Sequence, residues 1–181
     1  MAVETITLLR DLVAIDSVNP SLVPGAAGES EIADFILTCA QEQGLEVERL
    51  EATPGRPSVL VSSHGHGHGP QNGKTLMLCG HTDTVGVGQM TGPLDPVVDG
   101  DRIHGRGVYD MKAGVVAALI ACREADRLNR PGRVVVAAVA DEEHSSLGVQ
   151  EVLRNLHPDA AIVTEPTELT VATAHRGFVW T

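Results

Sequence analysis

Four short segments of this chain place carboxylates or imidazole directly after an apolar run or a glycine turn. In chain order they are GHTDTV (80–85), GRGVYDMK (105–112), ADEEH (140–144) and TEPT (164–167). A site with two zinc ions needs terminal imidazole or carboxylate ligands, a carboxylate that bridges the ions, and a further carboxylate that moves protons. Together the four segments predict a two-metal hydrolase site.

The segment with three adjacent acids, 141–143, is the least ordinary of the four. Three anions at the end of an apolar strand repel one another, which is unfavourable without a cation. Neighbouring residues face different directions, which suits one carboxylate on a metal ion and another on the water that attacks the substrate. The candidates are His81, Asp110, Glu143 and Glu165 as metal ligands and Glu142 as the free base.

Each motif taken alone also has a simpler structural explanation. On an extended segment, residues two apart point to the same side, so Asp83 could hold the ring of His81; the alternative is a polar strand end. Asp110 could be an ordinary helix N-cap. The adjacent acids could begin a solvated helix, and Glu165 could be a loop carboxylate. The agreement of four motifs in one order favours the metal site.

In that order the motifs H-x-D, G-R-G-x-x-D-M-K, D-E-E and E-P-T resemble those of the M20 metallopeptidases. This family contains acetylornithine deacetylase, succinyl-diaminopimelate desuccinylase and glutamate carboxypeptidase. The resemblance runs from about Leu8 to Trp180. The E-P-T motif followed by A-H-R-G (174–177) is most similar to the acetylornithine deacetylase branch.

The resemblance implies hydrolysis of an amide bond in an N-acyl amino acid or short peptide by two zinc ions, with Co²⁺ or Mn²⁺ as alternatives. It implies that Asp110 bridges the ions and that the peptide bond after it is cis. One ion would use His81, Asp110 and Glu165. The other would use Asp110, Glu143 and a ligand absent from this sequence. Asp83 and Glu142 would be the catalytic residues.

Family members continue beyond A-H-R-G into a lid or dimerisation domain and then return with a late histidine ligand, whereas this chain stops at Thr181. The expected fold is α/β, a three-layer zinc-exopeptidase-like sheet with helices on both faces, truncated before the lid. Residues 1–175 would be a partial catalytic metallohydrolase domain and 176–181 the start of the lid segment. A homodimer would require the lid. The alternative function is an inactive truncated fragment or metal-binding module.

Composition excludes some partners. A net charge of −11 with only four aromatic residues argues against nucleic-acid binding. Three cysteines, an odd number without C-x-x-C spacing, predict buried reduced thiols, and the amino terminus does not resemble a signal peptide. These features favour a cytoplasmic protein. The longest apolar run, 113–122, is too short to cross a membrane.

Hydrophobic periodicity predicts alternating strands and helices. Since His81, 141–143 and Glu165 follow predicted strands, all three should reach the rim where strands of an α/β sheet end. The expected helices lie at about 6–13 and over 29–43, 111–128 and 147–156, and the expected strands over 45–50, 58–62, 75–79, 133–140, 160–163 and 170–174.

Several further residues keep two interpretations. The HGHGHG stretch (64–69) could bind a metal adventitiously, although a flexible hairpin loop is the favoured explanation. Lys112, Arg106 and His144 could touch the site or could serve as surface or capping residues. His175 matches the family's A-H-R-G motif, in which the histidine is not a zinc ligand.

Overall fold

The computed structural model describes residues 2–65, 73–129, 131–168 and 170. A tight turn over Val108–Lys112 precedes the third helix; within it Asp110 and Met111 have non-helical dihedral angles and are joined by a cis peptide bond. The helices are α1 (Ala2–Ala14), α2 (Ser30–Glu42), α3 (Ala113–Arg127) and α4 (Leu147–Asn155), and the strands are β1 (Glu46–Leu50), β2 (Ser58–Ser62), β3 (Thr75–His81), β4 (Val97–Asp99), β5 (Arg102–His104), β6 (Arg133–Val139) and β7 (Ala160–Val163).

Five of these strands form one mixed sheet in the order β1-β2-β6-β3-β7. Strands β6, β3 and β7 are parallel to one another, whereas β1 pairs antiparallel with β2 and β2 pairs antiparallel with β6. The parallel half of the sheet therefore brings the carboxyl ends of three strands to one edge.

Strand β6 is buried on both faces of the sheet. Val136 and Ala138 pack into a core with helices α1, α2 and α3, whereas Val135, Ala137 and Val139 pack into a second core on the α4 side. This explains its nearly continuous apolar sequence. The predicted α/β architecture with helices on both faces of the sheet is confirmed.

Strands β4 and β5 form a separate hairpin that the sequence analysis did not predict. Gly100 stands in the connecting turn with φ +60°, a left-handed conformation that glycine adopts without strain. Each strand has only three residues, too few to show an alternating pattern.

The predicted bounds agree closely with the observed ones for most elements. Helix α3 begins at Ala113 rather than at 111, because the turn with the cis bond occupies the preceding residues. Strand β3 extends to His81, two residues beyond its predicted end. The strand predicted over 170–174 lies, except for Thr170, outside the described residues. No helix in the described part of the chain has the length and hydrophobicity to cross a membrane.

Candidate metal centre

Three parallel strands deliver the candidate ligands to one edge of the sheet. His81 is the last residue of β3, Glu142 and Glu143 follow the end of β6, and Glu165 follows the end of β7. Asp110 reaches the same place from the turn before α3. The topology thus explains how residues from distant parts of the chain meet.

The imidazole of His81 lies at the centre of these carboxylates. Its Nε2 atom is 3.1 Å from Asp110 Oδ1, 3.5 Å from Glu165 Oε1 and 3.8 Å from Glu142 Oε2. Two groups could each hold an ion, His81 with Glu142 and Glu165, and His81 with Asp110 and Glu143; in each group the ligand atoms lie within 4.8 Å of one another. The structure therefore brings all five candidates together, but groups them differently from the two predicted ligand sets.

The ring of His81 is held in an orientation suited to metal binding. It is 1% exposed, and its Nδ1 atom lies 2.9 Å from the backbone carbonyl oxygen of Asp83. A carbonyl oxygen can only accept a hydrogen bond, so Nδ1 carries the proton. Loss of the remaining proton from Nε2 would leave its lone pair directed at the space between the carboxylates, where a metal ion would bind.

The carboxylate of Asp83 contacts the acidic loop more closely than it contacts the ring of His81. It lies 3.6 Å from the ring of His81, whose hydrogen bond goes to the Asp83 carbonyl instead. Its two oxygens accept the backbone N–H groups of Glu142 at 3.0 Å and Glu143 at 3.2 Å. Loop amides at a buried strand end need acceptors, and Asp83 supplies them. Asp83 thereby connects the histidine motif to the acidic motif.

Burial and neighbouring charges shift the pKa values of the cluster. Burial by itself would lower the pKa of His81, but the hydrogen bond with Asp110 and the charges of nearby carboxylates raise it to about 9. Burial and the neighbouring carboxylates raise the pKa of Glu165 to about 7, against the opposing effect of His81. Burial also raises the pKa of Glu143, whereas the hydrogen bond with His81 lowers that of Asp110.

Burial and the repulsion between neighbouring carboxylates together favour retention of protons in this cluster near neutral pH. A divalent cation would relieve that repulsion. Imidazole nitrogen and carboxylate oxygen are zinc ligands, and the side chains of Asp110, Glu142 and Glu165 are 53%, 44% and 38% exposed, so an ion can reach them. The residues present therefore fit a divalent metal ion.

The third acid of the acidic motif, Asp141, belongs to neither group of candidate ligands. Asp141 is fully buried, has a left-handed φ of 63° and accepts a hydrogen bond from Arg56 at 2.8 Å. Arg56 and its second acidic partner, Glu29, were not identified as site residues from the sequence. Each is a single charged residue outside any motif, so no local pattern marks either of them.

Lys112 does not reach the candidate ligands. Its buried ammonium group donates hydrogen bonds to the carbonyl oxygens of Leu12 at 2.9 Å and Ile15 at 3.0 Å, at the end of α1. Burial lowers its pKa to about 8. The capping interpretation of Lys112 is therefore correct.

Arg106, His144 and His64 also had two interpretations, and each has contacts in the structure. The charge of Arg106 contributes to the lowered pKa of Asp110. His144 contacts Ser145 Oγ at 3.2 Å, and His64 contacts Asp126 Oδ1 at 2.9 Å on the surface. His66, His68 and His175 lie outside the described residues.

An apolar cavity of about 220 Å³ adjoins the cluster. Its lining includes His81, Glu142 and Glu165 together with the apolar side chains of Met111, Val139, Val149 and Val163. An uncharged group of a small molecule would fit beside the carboxylates there.

The model of peptidase family M20/M25/M40 matches residues 77–176, which include all five candidate residues. The match covers more than half of the chain, and the chain therefore belongs to this peptidase family.

Comparison with individual proteins agrees with the family. Acetylornithine deacetylase of Photorhabdus laumondii is 30% identical over 96% of this chain and 46% of its own length, so the chain spans about half the length of the curated relatives it matches. Among solved structures, human carnosine dipeptidase 1 superposes with a TM-score of 0.67 at 20% identity, covering 88% of this chain and 38% of that one. A dinuclear metal-binding M20 peptidase of Bacillus subtilis superposes with a TM-score of 0.58 at 16% identity, covering 84% of this chain and 38% of that one. At such identities the two structures support the fold alone.

Proposed function

We propose that this chain supplies metal ligands and the general base of a zinc-dependent amide hydrolase for N-acyl amino acids or short peptides. The observation that carries the proposal is the position of His81 Nε2, which has three carboxylate oxygens within 3.8 Å at the carboxyl edge of the sheet. The similarity to acetylornithine deacetylase supports the N-acyl substrate. Membership of a family that includes a dinuclear metal-binding peptidase supports the metal.

Divalent ions held by His81, Asp110, Glu143 and Glu165 would polarise the amide carbonyl and lower the pKa of water. Glu142 would take the proton from the attacking water and pass it to the leaving amine. Its carboxylate is half exposed and lies beside His81, so it can reach both the metal side and the substrate side. The apolar cavity would receive the uncharged group attached to the scissile carbonyl.

A second candidate function is a metal-binding module without turnover. One observation favours it: within the described residues, both ligand groups use His81, and one Nε2 atom can serve only one ion. A chain that holds a single ion tightly would not provide the complete two-metal site.

Zinc titration of the wild-type chain and of His81→Ala and Glu165→Ala tests the site. We expect one tight zinc in the wild type and a large loss of zinc in both variants after dialysis. Full zinc occupancy in both variants would show that the site lies elsewhere. The matched control changes His64, His66 and His68 together to Ser and should retain the zinc.

Release of free amine from N-acetyl amino acids then separates the two functions. Turnover that requires zinc supports the hydrolase. Tight zinc binding without turnover on N-acetyl amino acids or dipeptides supports the metal-binding module.

A further inference from the structure

The guanidinium group of Arg56 is the centre of a buried polar network behind the candidate ligands. Its side chain is 9% exposed and lies in the connection between β1 and β2. It donates two hydrogen bonds of 2.7 Å to the two carboxylate oxygens of Glu29, one of 2.8 Å to Asp141 and one of 2.9 Å to Ser21 Oγ. The planar guanidinium group suits this forked arrangement, which an ammonium group cannot reproduce.

Asp141 connects this network to the acidic loop, because it directly precedes Glu142. Its carboxylate also accepts hydrogen bonds from Asn19 Nδ2 at 3.1 Å and Ser145 Oγ at 2.5 Å. Its carbonyl accepts the backbone N–H groups of Ser145 at 3.1 Å and Ser146 at 2.6 Å. Side chain and backbone of Asp141 thus define the path of the loop.

Asn19 extends the network to the other support of that loop. The same amide nitrogen that contacts Asp141 donates a 2.7 Å hydrogen bond to the carboxylate of Asp83. Asp83 in turn accepts the N–H groups of Glu142 and Glu143. Asp83 therefore binds the backbone of the two glutamates directly, and Asp141 fixes the residue that precedes them.

The four hydrogen bonds of Arg56 run to Glu29, Asp141 and Ser21, and not to a candidate metal ligand. Arg56 can therefore affect the candidate ligands only indirectly, through the direction that the chain takes after Asp141. In the left-handed conformation of Asp141, the next two side chains turn towards His81. Non-glycine residues are uncommon in this conformation, although aspartate adopts it more readily than most, and the hydrogen bonds of the Asp141 side chain and carbonyl hold it there.

We propose that Arg56 is a positioning residue of the candidate metal centre: by holding Asp141, it aims the Glu142–Glu143 segment at His81. The inference rests on the proposed function, because it concerns the same metal centre. It predicts that changes at Arg56 alter metal affinity and coordination without removing a ligand.

The test is a titration with Co²⁺ alone, followed by its visible absorption spectrum, which reports the geometry of the ligands. The variants are Arg56→Lys, which keeps the charge but loses the fork, and Arg56→Met, which loses both. Arg49→Met is the matched control. Arg49 also pairs with two carboxylates, those of Asp34 and Glu51, but on the surface of β1.

We expect both Arg56 variants to weaken Co²⁺ binding by about 10- to 100-fold, the range for residues that orient metal ligands. The absorption spectrum should change as well. Arg49→Met should retain the wild-type affinity and spectrum. Circular dichroism and thermal unfolding identify which variants are folded.

Arg56→Met leaves two buried carboxylates without their cation and can prevent folding. The double variant Arg56→Met/Glu29→Gln removes one charge of each sign, and Ser145→Ala removes a single hydrogen bond to Asp141. Both should shift affinity in the same direction, with a smaller effect for Ser145→Ala.

Folded variants with wild-type affinity and spectrum would overturn the positioning role while the proposed function stands. A wild-type chain that binds neither Co²⁺ nor Zn²⁺ would overturn both.

Discussion

His81 faces a different type of group on each side of its ring. A backbone carbonyl contacts Nδ1, and several carboxylates surround Nε2. The first contact selects the tautomer, and the second attracts either a proton or a metal ion. Metal binding at this residue is therefore a competition with protons.

Zinc binding at pH 7 should release about one to two protons, because ligands must lose their protons before they coordinate. Without metal, His81 has a pKa of about 9 and is almost fully protonated at pH 7. Glu165 has a pKa of about 7 and is half protonated at the same pH. Both pKa values are raised, so affinity should increase as the pH rises through 7 towards 9. Calorimetry in buffers of different ionisation enthalpy measures the protons; no release at pH 7 would contradict the shifts.

Glu142→Gln should lower turnover by about 10²- to 10⁴-fold in a form of the protein that hydrolyses N-acetyl amino acids, because an amide cannot carry the proton. Zinc content should stay close to wild type, since Glu142 is assigned to the proton and not to the metal. Near-normal turnover would refute the assignment. Loss of zinc would instead indicate that Glu142 is a ligand, as its group with His81 and Glu165 allows.

The start of helix α3 packs closely against Thr164, the residue before Glu165. A Cβ atom on Gly114 would lie 2.7 Å from Thr164 Oγ1 and 2.8 Å from the Thr164 carbonyl oxygen. Thr164 is itself held by a 3.0 Å hydrogen bond from its N–H group to Cys79 of β3. The glycine therefore allows the loop after β7 to approach the helix.

Gly114→Ala should destabilise the fold by about 1 to 3 kcal/mol, because overpacking outweighs the better helix propensity of alanine. It should also weaken zinc binding, since Thr164 can only move together with Glu165. The control Ala117→Gly, at an exposed position of the same helix, should cost about 1 kcal/mol and leave zinc binding unchanged. Thermal unfolding and zinc titration check both. If Gly114→Ala is as stable as the wild type, the loop after β7 can shift to accept the methyl group at little cost, which contradicts the expected overpacking.

The sequence predicts long periodic elements better than short or isolated features. The apolar run of β6 and the amphipathic α2 were placed correctly because many residues contribute to each pattern. The hairpin of β4 and β5 was missed because its strands are too short for periodicity. The motif residues of the candidate site were recognisable by type and order. Arg56 was not, because its partners Glu29 and Asp141 lie 27 and 85 positions away.

Strand β7 is an edge strand of the described sheet, and its sequence is apolar. Ile162 and Val163 are 52% and 61% exposed, and no described strand pairs with the free side of β7. An exposed apolar edge offers unpaired N–H and carbonyl groups to another chain. The described surface therefore favours association.

The wild-type chain should self-associate with increasing concentration, and the double variant Ile162→Lys/Val163→Lys should reduce this, because charges on an edge oppose strand pairing. Leu153→Lys is the control, at an exposed leucine of α4 away from the edge. Sedimentation velocity measures the association. A wild type that stays monomeric at all concentrations would contradict the expectation.

The hydrogen bonds behind the acidic loop join distant parts of the chain. Asn19 reaches Asp83 across 64 positions and Asp141 across 122, and Arg56 reaches Asp141 across 85. Contacts of such separation close large loops, which costs chain entropy and slows folding. A partly folded chain with correct helices would still have its carboxylates dispersed. We therefore expect metal capture to require closure of these loops, and the rate of Co²⁺ uptake during refolding would measure how fast they close.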